Sequence, residues 1–362
     1  MKKTLLFNKW LLLSCSLCLL FSCGSDDSKE YVPVSLVNVD LATVPYQNLS
    51  DYKFYEGEMK NMEPAYKVLP YDLNSTLFTD YAHKKRFVWM PDGTKATYNG
   101  DGKVLEFPVG TVLIKNFYYD NVLPDNVTRI LETRLLIKKE TGWIFADYIW
   151  NEAQTEATLN MDGSYVDISW QQDGTTKSAS YRIPNESECL TCHKSDNVPI
   201  PIGPKPQNLN KNYAYTDGSQ NQLSKWITEG YLDEAVPQNI VSTVDWTDTS
   251  QPLDLRVRSY LDINCAHCHS EGAHCSYRVM RFAFSESTTD HNLGICIAPQ
   301  ESINPALTYI VSKQNVNRSA LHYRINTNEV SERMPLLGRT IVHTEAVAMI
   351  KDWINNMDAP CQ

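Results

Sequence analysis

Long apolar runs are scarce in this chain. Beyond residue 22 no stretch of 18 apolar residues occurs, so nothing there reads as a transmembrane helix. Positive charge is also in deficit: 33 Lys and Arg stand against 43 Asp and Glu, a formal charge of −10. That balance argues against a nucleic-acid backbone as partner. Internal repeats and low-complexity tracts are missing, which excludes solenoids and fibrous arrays. With 42% hydrophobic and 21% charged residues over 362 positions, the composition excludes a disordered chain and leaves room for two or three domains.

Cysteine is what the chain has in excess, ten in all. Two of them, Cys15 and Cys18, fall in the N-terminal segment. There Lys2, Lys3 and Lys9 precede an apolar run from Trp10 to Phe21, too short to span a bilayer comfortably. This pattern reads as a secretory signal over residues 1–22. The run ends Leu20-Phe21-Ser22-Cys23-Gly24, which resembles a bacterial lipobox and implies that Cys23 carries the lipid. Two or more acyl chains anchor firmly. Residues 23–44 then form a tether, opening with the polar Gly24-Ser25-Asp26-Asp27-Ser28, a sequence that cannot pack into a core. The expected location is the cell envelope, lipid-anchored, at the outer membrane.

Residues 45–186 have the texture of strands. Arg129 to Lys138 and Trp143 to Trp150 flank the turn Glu140-Thr141-Gly142, and Tyr165–Trp170 and Lys177–Ile183 flank Asp173-Gly174. Leu105–Pro108 and Thr111–Tyr119, about Gly110, suggest a third pair. With short turns and no helical crossovers, the segment predicts an antiparallel β-sandwich or barrel-like domain. Residues 187–250 read as a loop, extended over 197–212, followed by a short helix in Asn221–Asp233. Residues 251–362 open on a helical stripe, Leu253, Val257, Leu261 and Cys265, and close on another, Val347, Ile350, Ile354 and Met357. The expected fold class is α+β multidomain, β-rich first and mainly α-helical last.

Cys189-Leu-Thr-Cys192-His193 and Cys265-Ala-His-Cys268-His269 carry the chemistry. In C-x-x-C-H the two thiols can reach the two vinyl groups on one edge of a haem, and the following imidazole meets the iron. The motifs therefore predict two covalently attached c-type haems, with His193 and His269 as iron ligands. A single zinc shared by two Cys-x-x-Cys pairs would leave both histidines unexplained, and the pairs start 76 positions apart, at 189 and 265. A redox dithiol would sit in a βαβ pattern, which neither pair does.

Met334, in Arg333-Met334-Pro335, is the candidate second ligand for the His269 haem, as a soft neutral thioether that raises the reduction potential. Met280 is too close in sequence to cross easily to the other face. Residues 253–358 resemble a class I cytochrome c domain: a helix into C-x-x-C-H, a Met-Pro loop and a closing helix. From about residue 45 the chain also resembles a sparsely characterised family of bacterial two-haem c-type cytochromes. The carrying segments are Tyr71-Asp-Leu-Asn-Ser-Thr-Leu-Phe-Thr-Asp80, Ala82-His-Lys-Lys-Arg-Phe87, Phe107-Pro-Val-Gly-Thr-Val-Leu-Ile-Lys-Asn116 and Pro201-Ile-Gly-Pro-Lys-Pro-Gln-Asn-Leu-Asn210. That resemblance implies electron transfer, with a redox protein partner in the envelope, and no known substrate.

For the His193 haem the candidate second ligand is His83, beside the matched Asp80–Phe87 stretch, followed by Met90 and Met161; a satisfied imidazole is the alternative for His83. The β-rich segment, with Phe107-Pro-Val-Gly-Thr-Val-Leu-Ile-Lys115 and a later Gly-Trp strand, is similar to a family of β-rich c-type cytochromes whose haem stays five-coordinate, in some members cross-linked to a lysine. The resemblance points to Lys115, whereas the pattern of the strand makes it an exposed lysine. An open first haem implies an enzyme acting on peroxide or a small nitrogen compound, the competing function; no catalytic side chain stands out. Of the remaining cysteines, Cys275 and Cys296 are expected to form a disulfide, with Cys361 as the alternative partner.

Overall fold

The computed structural model describes residues 33–362; the signal segment and Cys23 lie outside the described residues. Leu36–Gln362 form one compact unit. Its frame is an eight-stranded antiparallel sheet: β1 (Leu69–Tyr71), β2 (His83–Trp89), β3 (Val112–Val122), β4 (Val127–Lys139), β5 (Gly142–Trp150) and β6 (Ala157–Leu159) lie in sequence order. The hairpin β7 (Ser164–Gln172) and β8 (Thr175–Ile183) joins the far end of β3 through Val122 and Trp170.

Both long hairpins turn where Gly and Asp permit. Gly142 has φ +122°, and Asp173 and Gly174 have φ +50° and +74°, as a two-residue hairpin turn of the primed type requires. The third pair forms differently. Leu105–Pro108 makes no strand, and β3 pairs instead with β2, Arg86 opposite Lys115 and Val88 opposite Leu113. The sheet also does not split into a sandwich or close into a barrel. Register shifts in β3 at Phe117/Tyr118 and Tyr119/Val122 bend it so that β7 and β8 continue the same sheet.

The central strands are buried on both faces, which explains runs such as Val112-Leu113-Ile114. One face, with Phe87, Val112, Ile114, Leu135 and Tyr148, packs on the N-terminal segment around Leu49, Tyr52 and Phe54. The other, with Val88, Leu113 and Trp143, packs on Leu209, Leu223, Trp226 and Ile263, from the segments that bear the two motifs.

After the sheet come α1 (Glu186–Cys192), two minimal hairpins, β9 with β10 (Lys194–Ser195, Val198–Pro199) and β11 with β12 (Asn212–Tyr215, Gly218–Asn221), and the short helices α2 (Pro206–Leu209) and α3 (Gln222–Thr228). The segment read as extended loop thus contains α2 and β10. The C-terminal part holds α4 (Leu253–Leu261), α5 (Asp290–Leu293), α6 (Ala320–Ile325) and α7 (Thr344–Asn355), of 9, 4, 6 and 12 residues. This corrects the expected fold class: no mainly α-helical cytochrome c domain closes the chain, and the single large sheet dominates. The two apolar stripes at 253–265 and 347–357 do form helices, but the stretch between them, punctuated by Gly, Pro, Ser and Asn, is mostly irregular. Its core, Val257, Leu261, Phe282, Ile350 and Ile354, is nonetheless buried. Among the described residues no helix is long and apolar enough to cross a membrane.

Candidate functional site

The first motif sits on α1, which the sequence starts cleanly. Asn185 accepts from the Glu188 N–H at 3.0 Å and Glu188 accepts from the Asn185 N–H at 2.8 Å, a reciprocal capping box. The helix ends at His193. The β9–β10 hairpin, turning at Asp196 and Asn197 with positive φ, then brings Ile200 back against it. His193 Nδ1 lies 3.0 Å from the Ile200 carbonyl, which fixes the tautomer and leaves Nε2 for a metal. Burial holds the imidazole down at about 4, so it is neutral, as a ligand must be.

The second motif follows α4 through a π-helical turn, Asp262–Ala266, whose polar residues are tied down. Asp262 accepts from the Phe284 N–H at 3.0 Å and pairs with Lys205 at 3.3 Å. Asn264 accepts from the Phe78 N–H at 2.8 Å, so the segment after β1 braces the turn. His269 is buried and neutral, also held at about 4 by burial, and its Nδ1 has no hydrogen-bond partner. The two motifs are locked together. The Asp196 N–H donates to the Gly272 carbonyl at 2.9 Å, and the Asp196 carboxylate lies 2.6 Å from where a Cβ on Gly272 would stand.

Each histidine faces its own cavity. The first is lined by Cys189, Cys192, His193, Phe145, Arg86 and Lys115 among others. The second is lined by Cys265, Cys268, His269, Met280 and Met334. Cys192, Asn264, His267, Pro335 and Leu337 belong to both linings, so the cavities share a wall. At that wall, ligand atoms of Cys192 and His267 lie within 4.8 Å of each other and of Cys268, which lines the second cavity. Three donors fall one short of a closed tetrahedral zinc site, and the shared-zinc alternative still leaves His193 and His269 pointing into separate cavities.

The residues present fit c-type haem: each cavity is lined by two thiols and a neutral imidazole in a mostly apolar wall. No protein-family model, curated protein or solved structure matches this chain.

Met334 is brought to the His269 cavity, as its position before the closing helix suggests, and Met280 lines the same cavity. What holds Met334 there was not apparent in the sequence. Arg339, 3% exposed, donates from Nε to the Met334 carbonyl at 2.9 Å and from its Nη atoms to the carbonyls of Arg324, Thr327 and Ile341 and to Asn328. Asp80, 1% exposed, accepts from the N–H groups of Thr340 and Ile341 at 2.7 and 3.1 Å and from the Thr340 hydroxyl. Removing that carboxylate would strand two part-buried N–H groups. Asp80→Ala is expected to cost about 1–3 kcal/mol in urea denaturation, with Asp80→Asn costing less because one oxygen can still accept.

His83 is not brought to either cavity. It starts β2 on the exposed side, 57% open, tilted against Tyr118 with Nε2 3.8 Å from Asp120, and lines neither cavity. Positive φ at Asp80 and Tyr81 turns the chain, so neighbours in sequence diverge in space. Met90 is fully buried in the sheet's core. Met161 lines the first cavity, but its sulfur accepts from the Asp147 N–H at 3.2 Å. Lys115 is not the exposed lysine that its strand suggested; it faces the first cavity.

The disulfide is also corrected: Cys296 bonds Cys361, and Cys275 is a buried free thiol. The Cys275 N–H donates to the Cys268 carbonyl, which turns this residue into the second cavity's wall, while the C-terminus returns to Lys313 beside Cys296. Proximity in sequence between 275 and 296 gave the wrong partner.

Proposed function

We propose that this chain is a two-haem c-type cytochrome that passes electrons within the bacterial cell envelope, held at the membrane by lipid on Cys23. One observation carries the reading: the two C-x-x-C-H cavities share a wall that includes Cys192 and His267, and both meet Cys268 of the second cavity within 4.8 Å. Bound haem would supply a one-electron couple in each cavity. The chain would supply His193 and His269 as ligands, four thioether links, and a separation small enough that no mobile carrier is needed between the two. The Ile200 carbonyl orients His193, and Arg339 presents the Met334 thioether to the second cavity.

A second reading, a haem enzyme working at the first cavity on peroxide or a small nitrogen compound, is favoured by the state of Met161. Its sulfur is already engaged by a backbone N–H, and neither His83 nor Met90 reaches that cavity. Carbon monoxide separates the two. A reduced holo-protein whose spectrum ignores the gas supports the carrier; one haem that binds it supports the enzyme.

The cofactor is tested by counting haem. Pyridine haemochrome analysis of protein matured with its haems is expected to give two per chain, and the double substitution Cys189→Ser, Cys192→Ser is expected to leave one. A wild-type chain with zinc and no haem would reject the proposal.

A further inference from the structure

The first cavity has a second chemical feature that haem attachment through Cys189 and Cys192 does not use. Across four adjacent strands one row of residues reads Arg86, Lys115, Arg134, Asp147, each opposite the next in the antiparallel register. All four line the cavity. Three cations side by side on one sheet face repel, and such a row is destabilising unless something answers it.

The protein answers only part of it. Arg134 is taken up by Glu132, through Nε at 3.0 Å and Nη2. Arg86, 3% exposed, gives Nη1 to Asp72 at 2.7 Å, but its Nη2 is buried with no partner. Lys115 pairs with no carboxylate among the described residues and rests over the Phe117 ring at 4.7 Å. Lys84, in the next row, spends its ammonium on the Ala82 carbonyl. Asp147, at the end of the row, lies 3.5 Å from Arg134 Nε and not against Lys115 or Arg86, and burial and the Glu132 carboxylate push it well above the usual carboxylate range. Desolvation and the flanking cations pull the Lys115 ammonium well below its usual value, the direction expected of a site missing its counter-ion.

The structure assigns Lys115 and Arg86 to an oxyanion-binding subsite on the wall of the first cavity, one that takes a carboxylate or a similarly small oxyanion. A planar guanidinium with a free Nη and an adjacent ammonium suit such a group. Two sources share that chemistry: the propionates of a haem in this cavity, and a free anion that reaches it. The assignment rests on the cofactor reading above, and the experiment is chosen to keep the two apart.

Wild type, Lys115→Met and Lys115→Arg are each matured with haem, counted for haem, titrated potentiometrically, and titrated with sodium formate by optical spectroscopy and by calorimetry. If the propionates are the occupant, Lys115→Met lowers the midpoint potential of the first haem, because a neighbouring cation disfavours the ferric form, and Lys115→Arg restores it; wild type ignores formate. If the occupant is a free anion, formate binds wild type saturably, Lys115→Met weakens it about tenfold or more, and Arg restores it. With both haems present, a methionine variant unchanged in potential and in formate binding would overturn the subsite. A first haem turned high-spin by Lys115→Met would overturn it too, by making Lys115 an iron ligand. A chain without haem would reject the cofactor reading, and formate calorimetry on that same protein would still decide the anion site.

Discussion

Met334→Ala is expected to lower the reduction potential of the second haem, by on the order of 100 mV or more, and to open that haem to carbon monoxide. A thioether favours ferrous iron because it is soft and neutral, and its loss leaves either water or an empty position. The geometry makes the experiment discriminating. Met280 lines the same cavity, so Met280→Ala is the control, expected to leave both the potential and the gas response as in wild type. A shift from Met280→Ala with none from Met334→Ala would exchange the two assignments. Arg339→Met offers a third reading of the same loop: it strips the Met334 carbonyl of its donor and should partly reproduce Met334→Ala, with weaker ligation and intact haem count.

The second large effect is on stability. Glu132 is fully buried and receives Arg134 and the Tyr181 hydroxyl, with Asp147 beside it. Two adjacent buried carboxyls cannot both ionise. Burial resists charge on each, but Arg134 and the hydrogen bonds carry Glu132 below its usual value, while burial and the Glu132 charge carry Asp147 well above its own. Arg134→Met leaves an ionised Glu132 unanswered and is expected to cost about 3–5 kcal/mol in urea denaturation. Adding Glu132→Gln should recover much of that loss, because the stranded charge is gone.

The pH dependence follows with opposite signs for the two acids. Glu132, depressed when folded, contributes stability that is present above the unfolded carboxylate value and lost as pH falls through its lowered value. Asp147, raised when folded, contributes stability that is full below the unfolded value, near 4, and lost as pH rises through its raised one. Asp147→Asn, a neutral stand-in for the protonated acid, should therefore gain on wild type as pH rises above the unfolded carboxylate value, near 4. A wild-type stability curve parallel to that of Asp147→Asn from about pH 4 upward would reject a raised Asp147.

How much of the site was legible differs residue by residue. Cys189, Cys192, His193, Cys265, Cys268 and His269 were readable because their chemistry is local: the motif fits within one turn of chain, and no distant partner changes its meaning. Met334 was readable for a weaker reason, its place before a closing helix. His83 and the Cys275–Cys296 pairing failed because both inferred closeness in space from closeness in sequence. At Asp80 and Tyr81 a left-handed turn breaks that link, and Cys296 finds Cys361 across 65 residues. Arg339 and Asp80 gave no signal, since a buried charge looks like a surface charge until its carbonyls and N–H groups are in place.

The sequence by itself determined the two hairpins, through Gly142 and Asp173-Gly174, and the two motifs. Each is written in a few adjacent residues whose backbone preferences or reach suffice. Only the tertiary structure decided that the strands form one sheet, that the C-terminal part is mostly irregular, and that the two motifs open onto cavities with a common wall. It also decided the row of Arg86, Lys115, Arg134 and Asp147. Register sets that row, and register depends on which strands pair: the sequence did not single out β2 within the strand-like segment, yet its pairing with β3 puts Arg86 against Lys115. A strand's partners are chosen by burial on both faces across the whole sheet, which no local window of sequence contains.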